Sequence, residues 1–247
     1  MSITDPKELV GLRAAGAVVR RMLNAMRVAV RVGITTAELD EVGAKVMREC
    51  GAQSAPQLVY KFPGVNCISV NDEAVHGIPG KRALVNGDVV KLDVTIEKNG
   101  FMADAAESIA VGAVAGPVLE LIKCAESAFT KSMLVARAGF RVSEIGRVVE
   151  REVRRCGFSV IRDLGGHGIG RTIHEAPRVP NYPDPDVREI LTEGLVITIE
   201  PIIAAGSGRS FLADDGWTVR TADRQPSAHY EHTLVITKSE PILLTAA

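Results

Sequence analysis

An internal repeat restricts the architecture of this chain more than any other feature of its sequence. The segment Gly33 to Gly51, GITTAELDEVGAKVMRECG, aligns without gaps with Gly139 to Gly157, GFRVSEIGRVVEREVRRCG, and glycine, glutamate, valine and cysteine recur 106 residues apart. Each segment has the apolar spacing of an amphipathic helix between two glycines. In the first segment, Thr35 and Glu38 have the spacing of a capping box, which predicts where that helix begins.

The flanking segments follow the same repeat. A further helix is predicted before each segment, from Pro6 to Val32 and from Pro117 to Ala138. The predicted strands VNGDVVKLD and LTEGLVITIE come afterwards, and their alignment places Asp93 on Glu200. The sequence therefore predicts an α+β fold made of two pseudo-symmetric helix-helix-sheet halves.

These halves are expected to form one catalytic domain, residues 1–247, divided roughly into 1–112 and 113–247. Antiparallel sheets would lie inside, packed sheet to sheet, and the helices would lie outside. This arrangement brings equivalent strand ends together, so we expect Glu200 opposite Asp93.

The segment from Lys91 to Asp104, KLDVTIEKNGFMAD, predicts a β-hairpin whose two turn residues are Asn99 and Gly100. In that register Asp93 and Asp104 are diagonal neighbours on one face, with Cβ atoms somewhat less than about 7–8 Å apart. Two carboxylates at this separation either share a proton or hold a cation. Glu231, in the strand YEHT, is another carboxylate among apolar neighbours, and strand alternation turns His232 away from it.

Four such carboxylates and a histidine form a ligand set suited to a pair of divalent cations. The alternative is a group of unrelated surface acids.

The overall composition argues against several other classes of function. The chain has 247 residues, of which 46% are hydrophobic, and its net charge is −1. This charge provides no basic field for nucleic acid or anionic lipid, and the segment REVRR at 151–155 is expected to be a solvated helix face.

The chain has no apolar segment near the roughly 18 residues of a membrane span, and its beginning has no signal-peptide pattern. We therefore expect a cytoplasmic protein without a membrane partner. The four cysteines show no C-x-x-C spacing, so we expect all of them to be reduced.

Six motifs, in this order and spacing, resemble the type I methionine aminopeptidases of the pita-bread fold over essentially the whole chain. They are HGIP at 76–79, DVT…NGFMAD at 93–104, GGHGIGRTIHEAP at 165–177, TIEP at 198–201, DGWTV at 215–219 and YEHT at 230–233.

The resemblance implies roles for the matching residues. Two divalent ions, of cobalt, manganese, iron or zinc, would be held by Asp93, Asp104, His167, Glu200 and Glu231. Asp104 and Glu231 would bridge the ions, and Glu200 would also transfer a proton to the leaving amide. The catalytic residues would further include His174, as a donor to the developing oxyanion, and His76, as a residue that positions the peptide backbone; both would also bind substrate.

The resemblance also implies a methionine pocket lined by Phe62, Cys67 and Trp217. The segment APQLVYKFPGVNC at 55–67 departs from the Gly/Tyr-rich loop of the family. Val59 falls where an aromatic ring is common, with Tyr60 beside it, and both are expected to line the pocket. We expect a stiffer loop and a wider slot that discriminates less sharply between methionine and its analogues.

His229 is a second departure, because the family commonly has glutamine there. We expect it to be a solvated residue at the rim of the site; the alternative is that it reaches the surroundings of the metals.

The implied activity is removal of the initiator methionine from nascent polypeptides with a small second residue. We expect a monomer, with no nucleic-acid partner, and a transient contact with the ribosome is left open. Two other hypotheses are an X-Pro aminopeptidase or prolidase of the same fold, and a non-catalytic binding protein that retains the fold. All five implied ligands are present, which favours an enzyme.

Overall fold

The helices begin close to the positions that the repeat predicts. The computed structural model describes residues 1–246, and Ala247, the last residue of the predicted second half, lies outside the described residues. Within that range there are five helices: α1 (Pro6–Ala29), α2 (Thr36–Glu49), α3 (Ala55–Tyr60), α4 (Gly116–Ser132) and α5 (Val142–Arg155). None of the helices in this part of the chain is both long enough and apolar enough to cross a membrane.

Capping boxes start the first two helices. Asp5 and Glu8 form one at the start of α1, and Thr35 and Glu38 form the one predicted at the start of α2. These side chains satisfy backbone amides that have no carbonyl partner in the first helical turn. The two long helices before the repeat segments end earlier than predicted, at Ala29 and Ser132.

The same residues 1–246 form fifteen strands. They are β1 (Gln53–Ser54), β2 (Cys67–Val70), β3 (Glu73–Val75), β4 (Val89–Lys98), β5 (Phe101–Ala110), β6 (Ser159–Val160), β7 (Gly165–Gly168), β8 (Glu175–Pro180), β9 (Val196–Ile199), β10 (Ile202–Ala204), β11 (Ser210–Leu212), β12 (Val219–Thr221), β13 (Ser227–His229), β14 (Glu231–Val235) and β15 (Ile242–Leu243).

One nine-stranded antiparallel sheet runs through both halves, with the main order β1-β4-β5-β14-β9-β7-β8. First-half strands lie on one side of the sheet and second-half strands on the other. The two halves join edge to edge, where β5 pairs with β14 through Ala106 and Glu231. The expected packing of sheet against sheet is therefore wrong, because pairing the two edges satisfies backbone groups that separate sheets would leave open.

Each half has its own hydrophobic core between its helix pair and one face of the sheet. In the first half Met22, Leu39 and Leu92 meet in this layer, and in the second half Ile145 and Ile197 do so. Burial of each such side chain contributes roughly 1.5–3 kcal/mol. Since strand residues alternate between faces, the opposite face of the sheet carries the residues between these apolar positions, including Asp93.

The REVRR segment lies at the end of α5, and its arginines are exposed as expected. The glutamate between them, Glu152, is buried, which corrects the expectation of a fully solvated face. Ser127 on α4 donates a 2.7 Å hydrogen bond to Glu152, and Arg155 donates two more, at 2.8 and 2.9 Å. Glu152 is therefore a structural acid that ties α4 to α5.

Candidate active site

The hairpin of β4 and β5 provides two of the predicted acids. Asn99 and Gly100 both have positive φ, 52° and 81°, as a two-residue hairpin turn requires. Lys98 pairs with Phe101, and Asp93 pairs with Ala106. The predicted register is therefore confirmed, and Asp93 and Asp104 lie on the face opposite the core.

Two overlapping groups of possible metal ligands meet at the joint between the halves. Asp104, His167 and Glu231 each offer an atom within 4.8 Å of the others. Glu200, His229 and Glu231 form a second group at the same limit. Glu231 belongs to both groups because its strand, β14, pairs with β5 on one side and β9 on the other.

The ionised forms of the carboxyl groups in this cluster are unfavourable when no cation is bound. Burial raises the pKa of Asp104 well above its usual range, and the neighbouring carboxylates Glu231, Asp93 and Glu200 raise it further. Burial likewise raises the pKa values of Glu200 and Glu231. Protons or cations therefore have to compensate the charge of these acids.

The donor atoms of the cluster fit divalent cations. Within residues 1–246, Asp104 Oδ1, Glu231 Oε1 and His229 Nε2 are buried and have no hydrogen-bond partner. Such atoms lose their hydration without compensation, which costs about 1–3 kcal/mol each unless something else binds them. Oxygen donors with imidazole nitrogen suit manganese, iron, cobalt and zinc.

Neighbouring groups orient His167 and Glu200. A Cβ atom at position 166 would lie 2.4 Å from the carbonyl oxygen of Thr198, so only glycine there lets β7 approach the chain so closely. The Thr198 hydroxyl accepts a hydrogen bond from the backbone amide of His167 at 3.1 Å and donates one to Glu200 at 3.0 Å. Burial lowers the pKa of His167 to about 3, so its ring is neutral.

The second ring nitrogen of His167 points toward the acids. Its Nδ1 lies 2.9 Å from the carbonyl oxygen of Gly168 and therefore carries the proton. Its Nε2 lies 3.5 Å from Glu200 Oε1 and keeps a lone pair. This tautomer is the one a metal ligand requires.

Two further histidines line the same cavity, as do Phe62, Cys67 and Trp217. His174 follows the loop after β7, and its Nδ1 lies 2.6 Å from the hydroxyl of Tyr60. His76 has a φ of 58°, a conformation that is uncommon for residues other than glycine and recurs at functional sites. The cavity therefore combines the acidic cluster with accessible imidazoles.

Known protein families provide the assignment of this chain. The sequence model of metallopeptidase family M24 matches residues 10–238. The chain belongs to metallopeptidase family M24. It is 44% identical to methionine aminopeptidase 2 of Bacillus subtilis strain 168, over 99% of both sequences.

Solved structures agree with this assignment. Methionine aminopeptidase from Rickettsia prowazekii is 36% identical and superposes with a TM-score of 0.94, covering 99% of this chain and all of that one. The Thermotoga maritima enzyme is 32% identical, with a TM-score of 0.96 over the full length of both. The predicted pita-bread fold is therefore confirmed for this M24 protein.

Aromatic side chains form part of the apolar wall of this cavity. Phe62 and Trp217 meet edge to face, with ring centroids 5.3 Å apart. Cys67 is buried opposite Asp93 in the pairing of β2 with β4. Burial raises the pKa of this thiol, so it remains protonated and acts as a polarizable wall.

The 55–67 segment contains a short helix where a loop is predicted, because Ser54 caps α3 by accepting a hydrogen bond from Gln57. Pro56 and Tyr60, four residues apart on this helix, face the cavity. Val59 lies about 100° around the helix from Tyr60, is 41% exposed and is absent from the cavity wall. The expectation that Val59 lines the pocket is therefore corrected.

His229 also differs from its predicted environment. Its side chain is 2% exposed rather than solvated, because β13 pairs with β10 inside the fold. His232 does turn away, as predicted, and contacts Tyr230 and Thr245 instead of the acids.

Sequence patterns missed the bond between Tyr60 and His174 and the burial of Lys91. Lys91 is 1% exposed and donates to the backbone carbonyls of Asn71 and Ser227. Its position two residues before Asp93 was the available signal, since both side chains then share one face.

Proposed function

We propose that this protein is a metalloaminopeptidase that hydrolyses the N-terminal methionine from nascent proteins and peptides with a small second residue. The observation that carries this proposal is the buried acidic cluster at the floor of an aromatic cavity. The relatives of this chain that are named methionine aminopeptidase support the choice of substrate. One of them is 44% identical to it over 99% of the chain.

Asp93, Asp104, His167, Glu200 and Glu231 would hold two divalent ions, with cobalt, manganese, iron and zinc as candidates. When bound, such ions supply the Lewis acidity that polarises a peptide carbonyl and makes water nucleophilic near neutral pH. The partnerless oxygens of Asp104 and Glu231 support this assignment. A free α-amine is an additional donor for such a centre, which favours cleavage at the chain terminus over cleavage at internal bonds.

His174 would donate a hydrogen bond to the oxygen of the scissile carbonyl as negative charge develops there. The Tyr60 hydroxyl lies 2.6 Å from Nδ1, and the tautomer in which Nδ1 accepts from it would leave Nε2–H free for this purpose. Glu200 would hold the proton lost by water and deliver it to the leaving amide. His76 would orient the substrate backbone. Its left-handed backbone conformation supports this role, because such conformations recur at functional sites.

Phe62, Cys67 and Trp217 would receive the methionine side chain. A thioether fits a narrow apolar slot with aromatic and polarizable walls, and sulfur-aromatic contacts contribute about 0.3–1.5 kcal/mol each. The acidic cluster, His76 and His174 line the same cavity, which supports the choice of a short second residue.

The proposal is tested by metal-dependent hydrolysis with a peptide panel. Metal-free protein reconstituted with Co²⁺ or Mn²⁺ should release methionine from Met-Ala-Ser, and N-acetylated Met-Ala-Ser should be resistant because it lacks the amine. Cleavage of Ala-Pro-Ser in preference to Met-Ala-Ser would favour the X-Pro alternative. Protein that binds two ions but cleaves neither peptide would favour the non-catalytic binding protein.

We further propose that the protein acts as a cytoplasmic monomer, where nascent chains become available. Sedimentation of the metal-loaded protein at working concentration tests the oligomeric state, and a dimer would contradict it. Co-sedimentation with ribosomes tests the transient contact.

A further inference from the structure

We propose that His229 is a direct metal ligand, so that each of the two ions receives one imidazole. This inference rests on the proposed function, because it takes the acidic cluster to be the metal centre. It goes beyond the ligand set implied by the family resemblance, in which His167 is the single imidazole. The family commonly has glutamine at this position, so the ligand would be particular to this chain.

The two donor groups provide the first argument. One contains Asp104, His167 and Glu231, and the other contains Glu200, His229 and Glu231. Each group combines one imidazole with two carboxylates, and they share Glu231 as a bridging ligand would require. Among the described residues, His229 therefore provides the imidazole of one group, and His167 provides the imidazole of the other.

The distances provide the second argument. His229 Nε2 lies 3.6 Å from Glu200 Oε2 and 3.4 Å from Glu231 Oε2. These separations exceed the 2.7–3.2 Å of N–H···O hydrogen bonds. They agree with two donors on one tetrahedral ion, which lie roughly 3.4 Å apart when each bond is about 2.0–2.2 Å. On the other side, His167 Nε2 lies 3.5 Å from Glu200 Oε1.

The burial and anchoring of His229 provide the third argument. The residue is 2% exposed, and its Nε2 has no hydrogen-bond partner within residues 1–246. Its backbone is held on both sides by Ser108, whose hydroxyl accepts from the His229 amide at 2.8 Å and donates to the His229 carbonyl at 2.9 Å. A metal cation bound jointly by this buried nitrogen and the two carboxylates that it faces would compensate the lost hydration of all three groups.

The nearby cation Lys91 does not fill this role. Its ammonium group is directed to the carbonyl of Asn71, at 2.6 Å, and to the hydroxyl of Ser227, at 3.1 Å. Within residues 1–246 it donates no hydrogen bond to the acids, so their charge is left to other cations. A second imidazole would make the centre richer in nitrogen and favour Co²⁺ and Zn²⁺ over Mn²⁺.

The direct test counts imidazoles on the metal. Protein with two equivalents of Co²⁺ bound is measured by X-ray absorption, in which multiple scattering from imidazole rings gives the number of histidines. We expect two rings per two ions in the wild type, and one in each of His229→Gln and His167→Gln. The matched control His232→Gln, three residues further along the chain but facing Tyr230 and Thr245, should retain two.

A count of one ring in the wild type overturns the inference, even if a variant fails to fold. An unchanged count of two in folded His229→Gln also overturns it, because the second ring would then come from elsewhere. A hydrogen-bonding role for His229, without coordination, predicts the first of these results.

Competition titration of metal-free protein gives an independent readout. His229→Gln should weaken Zn²⁺ binding relative to Mn²⁺ binding by about tenfold or more, because it replaces an imidazole nitrogen donor with the side-chain amide of glutamine. An unchanged ratio counts against direct coordination. If the wild type binds two ions and releases methionine but shows one imidazole, only this inference fails; if it binds no divalent ion, the proposed function fails.

Discussion

The hydroxyl of Tyr60 lies 2.6 Å from Nδ1 of His174, although the two residues are 114 positions apart in the chain. Partial burial raises the pKa of Tyr60, so the phenol stays protonated and is able to donate to the imidazole. In the tautomer in which Nδ1 accepts this hydrogen bond, Nε2 carries the ring proton. The short helix α3 thereby holds a hydroxyl group beside the histidine that is proposed to donate to the scissile carbonyl.

Tyr60→Phe should lower kcat with little change in KM. The variant keeps the ring but loses a hydrogen bond whose net value is about 0.5–1.5 kcal/mol, which corresponds to a decrease of up to roughly tenfold. Steady-state kinetics on Met-Ala-Ser give the kcat and KM values, and ¹⁵N NMR of His174 reports its tautomer. Val59→Ala, in the adjacent exposed position, is the control, and an unchanged tautomer in Tyr60→Phe would contradict this role.

Glu200→Gln should depress kcat far more than KM at saturating metal. General acid-base catalysis typically contributes a factor of about 10²–10⁴, and this contribution arises in the transition state. Glu193→Gln is a matched control, because Glu193 is exposed and pairs with Lys238 away from the cavity. An increase in KM alone would show that Glu200 binds substrate without transferring a proton.

Stabilisation of the protein by metal should grow as the pH rises from about 5.5 to 8. The pKa values of Asp104, Glu200 and Glu231 are raised in the folded protein, so the metal-free protein favours their protonated forms. Its free energy of unfolding therefore falls as the pH rises through the raised pKa values. Metal requires the ionised forms and displaces the remaining protons. Thermal melting with and without Mn²⁺ across this range measures the difference.

At a free metal concentration 100 times Kd, this stabilisation should reach about 2.7 kcal/mol. Asp104→Asn provides the comparison, because it removes the charge of a proposed metal ligand while keeping the shape of a protonated carboxyl. Its metal-free form should melt close to the wild type, and its gain from Mn²⁺ should be much smaller. An equal gain in both proteins would exclude Asp104 as a ligand.

Specificity should depend on Phe62 and not on Val59. Phe62→Leu loses the edge-to-face contact with Trp217, worth about 0.5–1.5 kcal/mol, and widens the slot. We expect kcat/KM for Met-Ala-Ser to fall relative to the norleucine and leucine peptides. Val59→Tyr should leave these ratios unchanged, since Val59 lies outside the cavity. A sharper preference for methionine in Val59→Tyr would show that a ring at this position folds over the pocket.

The β4–β5 hairpin could be predicted from sequence because its determinants are local. Asn99 and Gly100 require a particular turn, and that turn alone sets which residues face each other in the next ten pairs. The positions of Asp93 and Asp104 followed directly. The internal repeat likewise aligned Glu200 with Asp93, but the expected equivalence of strand ends is wrong, because Glu200 follows the end of β9 and Asp93 lies in the middle of β4.

The environments of His229 and Val59 could not be predicted in this way. Strand alternation assigns His229 to a face, but its burial depends on β10, a strand that lies elsewhere in the sequence. The helix α3 has six residues, too few for a helical period to be recognised, so the orientation of Val59 required the structure. The edge-to-edge joint of the halves is also a long-range property.

The pairing of β5 with β14 brings together proposed metal ligands from two parts of the chain that are far apart in sequence. Asp93 and Asp104 belong to the first half, whereas His167, Glu200 and Glu231 belong to the second. Asp104 and Thr233, which bond across this joint, are 129 residues apart. Closing so long a loop costs conformational entropy, and contacts of such high sequence separation are associated with slow folding. The proposed metal site is therefore complete only after the two halves have joined, and metal uptake can serve as an assay for this joining.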